Sequence, residues 1–174
     1  MSADDLLRLK LPDKRTELVR GALVVREPAG YRHGEVAARL AKLLMDHVDR
    51  HQLGTVLAAE TGFKLASNPD TVRAPDLAFI RRDRIPDPPP IGFAALAPDL
   101  VVEVLSPDDR PAEVLAKVGD WLTAGCALVW VVDLVRRLAH VYRANGRETT
   151  LAAGDVLDGE AVLPGFTCPL EAVV

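Results

Sequence analysis

The chain has 174 residues, 49% of them hydrophobic and 26% charged, with a net charge of −4. That length suits one domain, spanning residues 1–174, whose folding buries roughly 68–70% of the unfolded surface. The composition excludes a disordered chain, and the acidic balance argues against a protein that coats nucleic acid without specificity.

Residues 1–17 carry charge throughout and lack the apolar centre of a signal peptide. The longest clean apolar run, residues 126–132, falls far short of the ~18 residues that span a bilayer. Cys126 and Cys168 stand far apart, with no CxxC or Cys/His cluster. They read as reduced core thiols of a cytoplasmic protein with no membrane segment.

Residues 16–20 and 22–26 alternate around Gly21, the pattern of an opening hairpin. Residues 30–53 have helical periodicity. At about 100° per residue, His33, Val36, Leu40, Leu43, Leu44 and His47 share one face, opposite Glu35, Arg39, Lys42 and Asp46. Gly54 reads as the helix stop. Residues 56–65 and 72–80 read as strands joined by the turn Ser67-Asn68-Pro69-Asp70. Residues 81–97, with Pro86, Pro88, Pro89 and Pro90, read as a surface loop with a short helical turn.

The run L-V-V-E-V-L at 100–105 is that of a central strand covered on both faces. Residues 106–109 offer helix caps, and Pro111 fits the first turn. A helix over 111–124 then ends at Gly125, followed by a second buried strand over 127–133. Residues 137–143 and 148–152 form a hairpin about Asn145-Gly146, and the remainder is a tail punctuated by Gly and Pro. The order of elements indicates a mixed α/β sheet.

Several chemistries lack their signals. The chain has no P-loop, no G-x-G-x-x-G and no G-x-S-x-G. His47 and His51 have the spacing of a helical zinc pair, but Val48 stands where a zincin glutamate would be. Ser106 precedes Pro107 and reads as a cap, not a nucleophile. Arg81, Arg82 and Arg84 form a cluster that either contacts phosphates or is solvated charge guarding a sheet edge. Four Phe, two Trp and two Tyr are too few for a base-stacking platform.

Glu103 is a charge in the wrong place, since its strand is otherwise apolar. A buried carboxylate must be paired, protonated or bound to metal. Asp76 follows Pro75 on a second strand-like stretch, at a sheet edge or irregularity. Two carboxylates from neighbouring strands make a hard oxygen site for Mg²⁺ or Mn²⁺. The residues equally allow a capping Asp76 and a Glu103 paired with a Lys or Arg at the core edge.

The series V-R-A-P-D-L-A-F-I, A-P-D-L-V-V-E-V-L-S-P, the pair Lys117 and Trp121, and A-G-C-A-L-V-W-V-V-D resemble the Uma-two-like restriction endonucleases of the PD-(D/E)XK superfamily. The resemblance extends from T-E-L-V-R-G-A-L-V-V to L-P-G-F. It implies a restriction-endonuclease-like mixed central sheet flanked by helices, with an N-terminal and a C-terminal β-hairpin. It also implies Mg²⁺-dependent hydrolysis of DNA phosphodiesters. Asp76 and Glu103 match the motif acids, and the Val104 backbone carbonyl is a possible third metal ligand. Leu105 stands where the superfamily carries its lysine, and Lys117 resembles the relocated lysine of this branch. Superfamily members often add an acid from the first helix. Glu35 is the candidate by position, although its face is the polar one; His33 and Glu60 are further candidates. The family suggests a homodimer. The alternative is a catalytically inactive nucleic-acid-binding or protein-interaction module that retains the fold.

Overall fold

The computed structural model describes residues 1–174. A short helix, α1 (Ala3–Arg8), precedes the hairpin of β1 (Arg15–Val19) and β2 (Ala22–Arg26). The hairpin turns on Arg20 and Gly21, both at positive φ (49° and 80°), as a tight two-residue turn requires. Helix α2 (Tyr31–His51) buries Val36, Leu40, Leu44 and Val48 as a stripe. Leu43, expected on that face, is exposed, because the four-residue spacing of the stripe leaves it to one side.

The helix also stops earlier than expected. Gln52 takes a left-handed conformation (φ 53°) and caps it, so Gly54 is not the stop. Gly54 opens β3 (Gly54–Ala58), where a Cβ would fall on the Ile80 carbonyl oxygen. It is there for close strand approach.

Two expected strands each divide in two. After β3, Glu60 takes φ 67° and the chain enters β4 (Phe63–Ala66). Residues 72–80 split into β5 (Thr71–Arg73) and β6 (Leu77–Arg81), separated by Ala74, Pro75 and Asp76. Proline donates no ladder hydrogen bond and restricts the residue before it. The break lets the chain cross from one sheet, ordered β2-β1-β5-β4, into a second.

The second sheet adds β7 (Leu100–Val104), β8 (Leu128–Asp133), β9 (Leu138–Arg143) and β10 (Glu148–Ala152), in the order β10-β9-β8-β7-β6-β3. Its one parallel pair, β7 with β8, is joined by α3 (Pro111–Thr123), the crossover that parallel pairing demands. Residues 106–109 do not cap α3. Asp109 instead accepts the Ser106 N–H at 2.7 Å, and Arg110 occupies the N-cap with no side-chain bond. In the tail, β11 (Val156–Asp158) and β12 (Thr167–Pro169) form a small antiparallel ribbon.

Alternation divides the large sheet into two buried faces. Leu100, Val102, Val104, Trp130 and Val132 pack under α2 and the tail, while Val101, Val129 and Val131 pack with Trp121 of α3. Covering both faces is why β7 and β8 are apolar at nearly every position. A third cluster of Ala3, Leu6, Leu18 and Val72 fixes α1 to the smaller sheet through β1 and β5. Cys126 and Cys168 are free and buried, and no helix is long and apolar enough to cross a membrane.

Candidate active site

Strands β6 and β7 run antiparallel with Leu77 opposite Val102. Asp76, just before Leu77, and Glu103, just after Val102, stand at the same end of this pair and line one small cavity. Glu103 turns toward α3, where Lys117 and Trp121 bond it, whereas Asp76 reaches His33 of α2 and the Val104 N–H. Asp76 occupies the bend after Pro75, just before β6 begins. The break between the sheets thus places it.

Asp76 is buried and well bonded. The Val104 N–H donates to Oδ2 at 2.7 Å, and His33 Nε2 lies 3.1 Å from the same oxygen. Arg15 Nη1 reaches Oδ1 at 3.3 Å. Burial alone would raise its pKa, but the His33 hydrogen bond and charge and the Val104 N–H outweigh that and hold it below the ordinary value. Asp76 is therefore ionised at neutral pH, and His33 Nε2 serves as the donor.

Glu103 takes both its partners from one helix. Lys117 Nζ donates to Oε2 at 2.9 Å, and Trp121 Nε1 donates to Oε1 at 2.9 Å. Four residues apart, they share a face of α3, which explains the spacing of the lysine and the aromatic. Burial raises the Glu103 pKa to about 7, against the pull of Lys117 and with added repulsion from Asp76 and Glu17. Lys117 itself has three acceptors: Glu103, Glu17 Oε1 at 3.1 Å and the Ala74 carbonyl at 3.0 Å. Burial favours its neutral form, yet Glu103 and Glu17 override this and raise its pKa. It stays an ammonium.

Glu17 is a buried acid of the site that sequence reasoning missed, together with Arg73 and Arg15. Arg73 Nη1 and the Ala74 N–H each donate to it at 2.9 Å, and Arg73 is gripped in turn by Asp120 through Nε and Nη2. Burial opposes its charge, but Lys117 and Arg73 more than compensate and lower its pKa. Nothing local in the hairpin marks it, because its partners come from β5 and α3.

The other candidates separate clearly. His33 joins the site. Glu35 does not: it is bonded to Arg32 and Arg39 on the polar side of α2. Glu60 is exposed on the rim of a cavity of about 120 Å³ that also touches Asp76 and Lys117. Arg81, Arg82 and Arg84 lie at the opposite end of β6 from Asp76. There Arg81 is bonded to Asp83, and Arg84 to Asp99 and the Ala97 carbonyl, while Arg82 turns toward Gln52. His47 contacts the Pro164 carbonyl, which leaves the pair with His51 without a third ligand.

The donor set bears on a metal. No three His, Cys, Asp or Glu side chains converge as a ligand group. Two carboxylates beside the Val104 backbone are hard oxygen donors, too few for a closed cage. They fit Mg²⁺, which keeps several waters and takes one or two carboxylates, better than zinc. The desolvated Glu103, crowded by Asp76 and Glu17, is what a divalent cation would relieve.

The mixed central sheet, its helical crossover and the flanking helices are the architecture that the sequence resemblance implies, a restriction-endonuclease-like fold. The chain belongs to the Uma2 family, described as "Putative restriction endonuclease", whose model matches residues 3–171. A solved structure similar to it is described as "a putative nuclease belonging to DUF820 from Anabaena variabilis ATCC 29413". The two share 18% sequence identity and a TM-score of 0.86, over 99% of this chain and 97% of that one. No curated protein matches the chain.

Proposed function

We propose that the protein is a metal-dependent endonuclease that hydrolyses DNA phosphodiester bonds. The observation that carries this reading is the small cavity lined together by Asp76, Glu103 and Lys117, with Lys117 bonded to Glu103. These two carboxylates would hold the cation, Mg²⁺ or Mn²⁺, with the Val104 carbonyl as a further ligand. When bound, such a cation polarises the phosphate and lowers the pKa of an attacking water.

The chain's own groups then have distinct tasks. Lys117 stays protonated, so it serves as a donor and positive charge for the phosphate oxygens, not as a base. Glu17 and the Ala74 carbonyl fix its position. His33 orients the Asp76 carboxylate. In the hydrolysis a water oxygen bonds to phosphorus as the bond to the leaving sugar oxygen breaks. The leaving oxygen takes up a proton and water gives one to solvent. A two-fold dimer would offer one site to each strand. Free, buried thiols suit a reducing, cytoplasmic setting.

Nicking of plasmid DNA in Mg²⁺ or Mn²⁺ tests the reading. Asp76→Ala and Glu103→Ala should abolish nicking with far-UV circular dichroism unchanged, and Lys117→Ala should lower turnover more than metal affinity. Full activity in Asp76→Ala would overturn the assignment. A wild-type protein that binds DNA without ever cutting it would point instead to a non-catalytic binding module.

A further inference from the structure

The β1–β2 hairpin breaks a pairing rule beside the site. Arg15 stands directly opposite Arg26 across the two strands, and like charges so placed repel. Both residues line a cavity of about 40 Å³ together with Asp76, Glu103 and Lys117. Their side chains are 28% and 31% exposed, so both are reachable from solvent.

Neither is firmly held. Arg15 makes one long contact, 3.3 Å, to Asp76. Arg26 divides itself between Asp109 at 3.6 Å and Glu113 at 3.1 Å. Arg73 shows what a structural arginine looks like here: it is buried and makes bonds of 2.7–2.9 Å from Nε, Nη1 and Nη2. Short, forked contacts of that kind mark a satisfied guanidinium. Arg15 and Arg26 keep donors to spare, and an anion with several oxygens between them would relieve their repulsion.

We propose that Arg15 and Arg26 form a phosphate clamp that seats a backbone phosphate of the substrate against Asp76 and Glu103. The proposal rests on the nuclease reading above and names where that substrate is gripped. Arginine suits the role because its planar fork matches phosphate oxygens.

The test measures binding of a short fluorescein-labelled DNA duplex in EDTA, and KM for nicking in Mg²⁺, each across a salt series. Arg15→Gln and Arg26→Gln should each flatten the plot of log affinity against log salt by about 0.9. Arg147→Gln, an exposed charge at the far edge of the sheet, should leave the slope unchanged. Arg15→Lys and Arg26→Lys keep the charge and guard against misfolding of the glutamine variants. They should retain the salt slope and still bind more weakly. An unchanged slope and affinity in all four clamp variants, with a wild type that binds and nicks, overturns the clamp alone. Equal losses in Arg147→Gln would reduce the effect to general charge and overturn it too. A wild type that neither binds nor nicks DNA brings down the nuclease reading itself.

Discussion

Burial on both faces of β7 leaves Glu103 with two donors, Lys117 and Trp121, and two nearby carboxylates, Asp76 and Glu17. Its pKa moves from 4.5 to about 7. Between those values the native state holds more protons than the unfolded chain, so stability falls as pH rises. The loss begins near pH 4.5 and is complete above pH 7, amounting to about 3 kcal/mol. Asp76 and Glu17 act with the opposite sign. Their lowered pKa values contribute stability above the ordinary carboxylate range that is lost in acid. Glu103→Gln isolates the first effect. It loses the charge pair with Lys117, so its absolute stability carries both contributions. Its stability relative to wild type, however, should climb by up to about 3 kcal/mol between pH 4.5 and 7.5 in metal-free buffer. Urea unfolding at several pH values measures this, and a difference flat across the range would contradict the raised pKa.

At the scale of elements, the interruptions of pattern supply the carboxylates of the proposed site. Glu103 was legible in the sequence because one acid breaks an apolar strand, and Asp76 because Pro75 precedes it. Lys117 came from family resemblance; Leu105 occupies the usual place of the lysine. Glu17, Arg73 and Arg15 were not legible, since each acquires its role from partners on other elements. The same holds for Gly54, whose apparent meaning as a helix stop gives way to close packing against β6. Two glycines make this testable. Gly54→Ala forces a Cβ onto the Ile80 carbonyl oxygen and should destabilise the protein by at least about 1–3 kcal/mol. Gly119 lies within α3 with open space where a Cβ would stand. Gly119→Ala should therefore stabilise by roughly 0.5–1 kcal/mol. Denaturant midpoints of the two variants check both signs, and an unperturbed Gly54→Ala would mean that β3 can move away from β6 freely.

Over the whole molecule, the proposed site would make metal binding and proton binding compete for the same carboxylates. A ligand that binds the folded state alone stabilises it by RT ln(1 + [L]/Kd), about 2.7 kcal/mol at a hundredfold excess over Kd. In a chain of this length that amounts to a rise in Tm of roughly 5–11 °C. The cation requires an ionised Glu103, whose pKa is about 7, so binding below that pH must first expel a proton. The metal-induced stabilisation should therefore be full at pH 8 and shrink by about 1.4 kcal/mol for each pH unit below 7, and the rise in Tm with it. Glu103→Gln removes both the ligand charge and the titration, so its smaller rise should no longer vary across this pH range. Asp76→Asn should also reduce the rise, but with Glu103 still present what remains should keep falling toward acid. An ion held on surface carboxylates behaves differently. Ordinary carboxylates are already ionised at pH 6, so such an ion would stabilise wild type and both variants alike, with no change between pH 6 and 8. Melting curves with EDTA and with Mn²⁺ at pH 6, 7 and 8 separate the two. A rise that is absent, or equal in all three proteins and independent of pH, would remove Asp76 and Glu103 as metal ligands whatever the protein does to DNA.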